Sequence, residues 1–133
     1  MNTKLFFSSE LQTGKTPDDL YNMLDKEFNF DFDPCPINPK FDGLKLMKWG
    51  KSNYINPPYN NQKAWVQRAL FHYWNEKGTI IVMLLPARTD TKLFHEIILP
   101  LAKEIRFIKG RLQFQQYTNS APFPSMIVIF KND

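Results

Sequence analysis

The stretch SNYINPPYNNQKAW, residues 52–65, decides how the rest of the chain reads. A short β-type run (Asn53, Tyr54, Ile55) meets Asn56-Pro57-Pro58-Tyr59, and a helical pattern starts just beyond it. Prolines have no backbone N–H and hold the chain extended, so the pair ends the strand and removes two donors. What remains is a rigid turn that presents carbonyl oxygens, the amide oxygen of Asn56 and the ring face of Tyr59. Hydrogen-bond acceptors beside an aromatic platform suit an aromatic amine. In an open α/β sheet, ligands bind at the carboxyl ends of strands, which is where this tetrad falls.

Downstream, residues 61–78 predict a helix, with Trp65, Ala69 and Tyr73, and Val66 and Leu70, on one face and Gly78 as its stop. Residues 79–86 (TIIVMLLP) form a continuous apolar run, as expected of a central strand covered on both faces. Residues 89–99 predict another helix closed by Pro100, and residues 104–109 and 125–130 predict two strands joined by a long connection. Upstream, residues 16–28 predict an amphipathic helix, with Thr16 as N-cap, Pro17 at the first helical position and Leu20, Leu24 and Phe28 at spacing four. In residues 28–34 Phe28, Phe30 and Phe32 alternate with Asn29, Asp31 and Asp33, which predicts a strand running into a Pro-rich loop. The expectation is one α/β domain over 1–133 with three layers and a mostly parallel sheet. Its last two strands, with no helix between them, pair antiparallel.

At 133 residues and 43% apolar, the chain has material for one core. No apolar run approaches the roughly 20 residues that span a bilayer, and the first residues lack a signal-peptide core. Cys35 is the single cysteine, which fits a reducing cytoplasm, and with His72 and His95 far apart no metal-ligand spacing exists. The histidines, like Trp49, Trp65 and Trp74, read as structural residues. Net charge divides unevenly: residues 1–42 carry −4 and residues 43–133 carry +8. A basic region of this kind favours a polyanion such as nucleic acid, or is simply a solvated face.

The segments TPDDLYNMLDKEF, FDFDPCP, DGL with its following Trp, INPPYN, VMLLPARTDTKLFHE, IRFIKGRLQF and APFPSMIVIF occur in an order that resembles the small phage-type DNA N-6-adenine methyltransferases (Dam family). YINPPYN alone resembles the motif of S-adenosylmethionine-dependent amino-group methyltransferases generally; the ordered set is more specific. The resemblance implies a Rossmann-like methyltransferase fold, cytoplasmic action in a phage or prophage host, and double-stranded DNA as partner. It implies that Asn56 and the Pro57 carbonyl accept hydrogen bonds from the 6-amino group of a flipped-out adenine, that Pro58 shapes the turn and that Tyr59 stacks on the base. Thr16 and Pro17 resemble the segment that meets the methionine end of the cofactor.

Asp33 is then a candidate for the cofactor's amino group or ribose, or a strand-end cap. Asp31 and Asp42 are further candidates for the cofactor. No Gly-rich loop follows the first strand; DPCPINP stands there. Arg88 and Asp90 either orient substrate or pair with each other, and Lys109 and Arg111 either contact phosphate or lie on a solvated hairpin. Methylation of RNA or of a protein glutamine amide, or a DNA-binding module with a degenerate cofactor pocket, stay open as alternatives. So short a chain has little room for a separate recognition domain, so a homodimer or partner is one source of specificity.

Overall fold

The structure, a computed structural model, describes residues 14–113 and 123–132. In chain order the elements are helix α1 (Asp18–Phe28), strand β1 (Ser52–Ile55), helix α2 (Gln62–Asn75), strand β2 (Ile80–Pro86), helix α3 (π-helical over Leu93–Ile98, then an α-turn at Leu99–Leu101), strand β3 (Glu104–Phe107) and strand β4 (Ser125–Phe130). Short 3₁₀ turns lie at Gly43–Lys45 and Tyr59–Asn61. No helix among the described residues is long and apolar enough to cross a membrane.

The strands form one sheet in the order β1-β2-β4-β3. β1 runs parallel to β2, whereas β2–β4 and β3–β4 are antiparallel. The expected antiparallel pairing of the last two strands is present, but the expectation of a mostly parallel sheet is corrected: the sheet is mixed, and one of its three pairings is parallel. The cause is the place of β4, which inserts between β2 and β3 and turns both of its own pairings antiparallel. β1, β2 and β3 therefore still point the same way, so their carboxyl ends share one edge with the start of β4.

β2 and β4 are buried along nearly their whole length, and alternate residues feed two cores. Ile81, Met83, Leu85, Met126, Val128 and Phe130 pack with Trp65, Val66, Ala69 and Leu70 of α2 and with Phe94 and Ile98 of α3. Val82, Leu84, Ile127 and Ile129 pack on the opposite side with Leu24 and Phe28 of α1. Period-two side-chain alternation divides the strands this way. Arg106 adds a tie, with both terminal nitrogens 2.7 Å from the two carboxylate oxygens of Glu27, joining β3 to α1.

Other expectations change in detail. The N-cap of α1 is Pro17, at φ −56° and ψ 137°, so the helix opens at Asp18, and Thr16 lies before it. The strand expected over 28–34 shrinks to a single parallel bridge between Phe32 and Asn53. Asn29 closes α1 in the left-handed region (φ 56°), and the Asp31 carboxylate takes the Ser52 and Lys51 N–H groups at 3.2 and 3.3 Å, so a side chain replaces part of the ladder. The helix expected over 89–99 is π-wound: the Leu99 N–H reaches back to the Phe94 carbonyl just before Pro100, which has no N–H to give. Trp49 and Trp65 stack with ring centroids 6.2 Å apart, and His72, buried, stacks on Trp49. Trp74, by contrast, is exposed rather than packed, and so is His95.

Candidate active site

The common sheet edge gathers most of the residues that the sequence singles out. β1 leads into Asn56–Tyr59, β2 into Arg88 and Asp90, and β3 into Lys109 and Arg111. Arg88, Asp90, Lys109 and Arg111 are all exposed there. Phe32, bridged parallel to Asn53, delivers Asp33 to the same side.

Asn56 is buried at 6% exposure. Its Nδ2 donates to the Gly14 carbonyl at 2.6 Å and to Thr16 Oγ1 at 3.3 Å. A carbonyl can only accept, so the NH₂ end of the amide must face Gly14 and the oxygen must face away. That oxygen, Asn56 Oδ1, is buried and has no partner among the described residues. Gln62, at the first position of α2, repeats the pattern. Its Nε2 donates to the Pro58 carbonyl at 2.8 Å and the Pro57 carbonyl at 3.4 Å, and its buried Oε1 has no partner among the described residues. Leaving a buried acceptor unsatisfied costs about 1–3 kcal/mol. These two amide oxygens lie beside the Pro-Pro turn, and buried atoms of Arg68, His72 and Ser125 are also unsatisfied among the described residues.

Two clefts flank this turn. The first, about 400 Å³, is lined by Thr16, Asp18, Tyr21, Asp33, Cys35, Tyr54 and Asn56, among others. Thr16 Oγ1 lies 2.5 Å from the Tyr54 hydroxyl. Tyr21 meets the Tyr54 ring edge-on at 5.1 Å. Burial pushes the Asp33 carboxyl up to about 6, although the Cys35 N–H, 2.8 Å away, opposes the shift. Burial first, then the charges of Asp33 and Asp42, push the Cys35 thiol up to about 12, so it is a poor nucleophile at neutral pH. Pro17 precedes this wall, while Asp31 and Asp42 are engaged elsewhere. Asp31 takes the β1 amides described above, and Asp42 caps the 3₁₀ turn by accepting from Leu44 N at 3.0 Å.

That 3₁₀ turn explains the DGL…W segment. A Cβ on Gly43 would sit 1.9 Å from the Pro34 carbonyl oxygen and 2.8 Å from the Trp65 ring. Trp49 Nε1 donates to the Gly43 carbonyl at 2.9 Å. Only glycine lets this turn press against the Pro34–Cys35 backbone, and so it sets the cleft wall.

The second cleft, about 220 Å³, is lined by Tyr59, Gln62, Lys63, Pro86, Arg88 and Phe94 with others. Tyr59 meets Phe123 edge-on at 4.6 Å, and the Arg88 guanidinium lies 5.6 Å from the centre of the Phe123 ring.

Sequence reasoning passes over Tyr54, Gln62, Tyr21 and Phe123. Tyr54 carries a local signal, since it stands two residues before Asn56 on an extended segment and therefore on the same side. Gln62, as the first residue of the helix after the turn, carries a weaker one. Tyr21 and Phe123 come to the site through tertiary packing alone.

No curated protein matches the chain. The family model described as DNA N-6-adenine-methyltransferase (Dam) matches residues 8–132, nearly the whole length, and the chain belongs to that family.

Proposed function

We propose that this protein transfers a methyl group from S-adenosylmethionine to the exocyclic 6-amino group of adenine in double-stranded DNA. Membership of the Dam family supports DNA adenine methyltransferase activity in general. The observation that carries the finer reading is the buried Asn56 Oδ1 at the Pro-Pro turn, without a partner among the described residues. An acceptor kept desolvated and unpaired is matched by a ligand that brings an N–H, and the adenine amine brings two.

In this reading Asn56 Oδ1 and the Pro57 carbonyl accept those two hydrogens, which fixes the nitrogen and draws its lone pair out of the ring. Pro58 keeps the turn extended, and Tyr59 stacks on the base. The base reaches the turn after leaving the duplex, which costs a few kcal/mol of stacking and pairing. No side chain acts as nucleophile; the rate comes from positioning.

The residues of the larger cleft fit the cofactor. Its volume is in the range of small-molecule sites, and it combines aromatic walls with an ionisable carboxyl. Thr16, Pro17 and Asp33 are the residues we assign to it, Asp33 toward the amino group or ribose; Asp31 and Asp42 serve as backbone caps. S-adenosylmethionine, when bound, supplies a methyl group activated on a sulfonium. Arg88, Asp90, Lys109 and Arg111 form the DNA-facing rim, the cations toward phosphates. The mixed sheet with helices on its two faces is, in the same reading, a small Rossmann-like three-layer domain.

Calorimetric titration with S-adenosylmethionine and its demethylated product, followed by label transfer to DNA, RNA and protein, tests the proposal. Saturable binding and label on adenine N6 of DNA are expected. Label on RNA or protein alone would move the substrate, and a folded protein that binds DNA but no cofactor at millimolar concentration would be a binding module instead.

A further inference from the structure

Asn56 can offer its oxygen to a substrate only if its carboxamide is held one way round, and the structure shows what holds it. Tyr54 and Asn56 are two residues apart on extended backbone, so both project to the same side of β1. Between them stands Thr16. Its Oγ1 accepts from Asn56 Nδ2 at 3.3 Å and is hydrogen-bonded to the Tyr54 hydroxyl at 2.5 Å. All three side chains are buried, at 7% exposure or less. The Gly14 carbonyl takes the same Asn56 amide nitrogen at 2.6 Å.

We infer that Tyr54 is a positioning residue. Through Thr16 it sets the Asn56 carboxamide with nitrogen inward and oxygen available, although it does not meet the reacting amine itself. This rests on the reading of Asn56 as the acceptor for that amine, and it adds a residue that the N-P-P-Y tetrad does not contain.

The physical case is one of rotamers and lone pairs. Thr16 lies outside α1, one residue before the Pro17 N-cap. A threonine hydroxyl has three staggered positions, and a short bond to a phenol on a rigid strand selects one of them. With Oγ1 fixed, a lone pair faces Asn56 Nδ2. If the amide flipped, its oxygen would face the Gly14 carbonyl, two acceptors in contact. The Gly14 and Thr16 bonds thus act together, and Tyr54 secures the second. Because Thr16 and Tyr54 also line the larger cleft, its occupant touches the device that aims the acceptor.

Proton NMR of the Asn56 side-chain amide, identified by its loss in Asn56→Asp, tests this without needing activity. Tyr54→Phe keeps the ring and its packing against Tyr21 and removes only the hydroxyl; Thr16→Val removes the other hydroxyl at nearly constant volume. In both variants the amide signal should move and its hydrogen exchange should speed up about tenfold, the loss expected of one buried hydrogen bond. Thr16→Ser should restore both. The kcat of methyl transfer should fall about tenfold in Tyr54→Phe, with cofactor Kd within about twofold of wild type. In the double variant the Asn56 amide signal and its exchange should change little more than in either single one, since the two hydroxyls act on it in one chain.

An unmoved amide in both variants overturns the inference. So does a loss of kcat with an equal loss of cofactor affinity and no amide change, because Tyr54 would then be only a wall of the cleft. If the wild type methylates no DNA while the amide still responds, the positioning stands and the assignment of the substrate fails.

Discussion

Two segments run beside or out of β1, and they treat their polar side chains in different ways. From the last turn of α1 through the segment that follows it, the carboxylates named here are occupied by backbone. Asp25 takes the Phe30 N–H, Asp31 takes Ser52 and Lys51, and Asp33 takes Cys35. At the two ends of the Asn56–Gln62 turn, Asn56 and Gln62 spend their NH₂ groups on protein acceptors, and their oxygens have no partner among the described residues. The first pattern is what a scaffold needs, since each of these carboxylates is engaged by backbone N–H groups. The second leaves two buried acceptors open beside one turn, as binding sites do. The sharpest way to break this contrast is Asn56→Ala. Methyl transfer should drop by about 10³-fold or more, the scale of losing a preorganised polar contact to the reacting group. Stability should change by no more than about 1 kcal/mol, because the orphaned oxygen leaves along with the bonds of the nitrogen. Rate assays and thermal unfolding on the same preparation check it; a collapsed melting point with a modest rate loss would make Asn56 scaffold.

Gly43→Ala attacks the scaffold side. The added methyl meets the Pro34 carbonyl oxygen, a backbone atom that cannot swing aside, and the edge of Trp65. A loss of about 3 kcal/mol, seen as a fall of roughly 10 °C in Tm, is expected. Since the wall carrying Cys35 and Asp33 shifts with it, cofactor affinity should fall as well. Unchanged thermal unfolding would mean that the turn can retreat and does not set the wall.

These contrasts also mark what was legible in the sequence. β2 and β4 stand out because an uninterrupted apolar run has few alternatives to burial, and the tetrad stands out because two prolines at a strand end need a reason. The 28–34 segment misleads because its Phe/Asp alternation has the period of a strand, yet Asn29 turns left-handed and Asp31 substitutes a carboxylate for ladder bonds. The insertion of β4 between β2 and β3 is set by packing across the sheet and leaves no local trace. Asp31, Asp33 and Asp42 look alike in sequence, since nothing local says which carboxylate the backbone consumes.

Asp33 belongs to both regions, because it caps Cys35 and also lines the cleft, so pH can separate its roles. Its carboxyl titrates near 6 in the folded protein against 3.8 for the free side chain, through burial. A raised carboxyl contributes stability while protonated, fully below pH 4, and loses it as pH climbs through 6. The protein should therefore lose on the order of 1–3 kcal/mol between pH 4 and 7 from this group, a slope that Asp33→Asn removes. Cofactor affinity should run the other way and rise through pH 6, since only the ionised carboxylate pairs with an ammonium. Titrations at pH 5, 6 and 7.5 read it directly; affinity flat across that span would take Asp33 out of the cofactor site.

The smallest effect tests the satisfied side of the comparison at its most exposed point. The Asp31 side chain reaches across to β1 with hydrogen bonds of 3.2 and 3.3 Å, long for charge-assisted bonds, and the residue is exposed. Water can replace much of what it supplies, so Asp31→Ala should cost only about 1 kcal/mol, read by denaturant unfolding. Cofactor Kd should stay within about twofold, because Asp31 is engaged by the β1 backbone and stands apart from the cleft lining. A tenfold or greater loss of cofactor affinity at unchanged stability would reverse the assignment. Asp31 would then be a ligand that borrows the β1 amides only until its partner arrives, and hydrogen-bond satisfaction would no longer separate scaffold from site around β1.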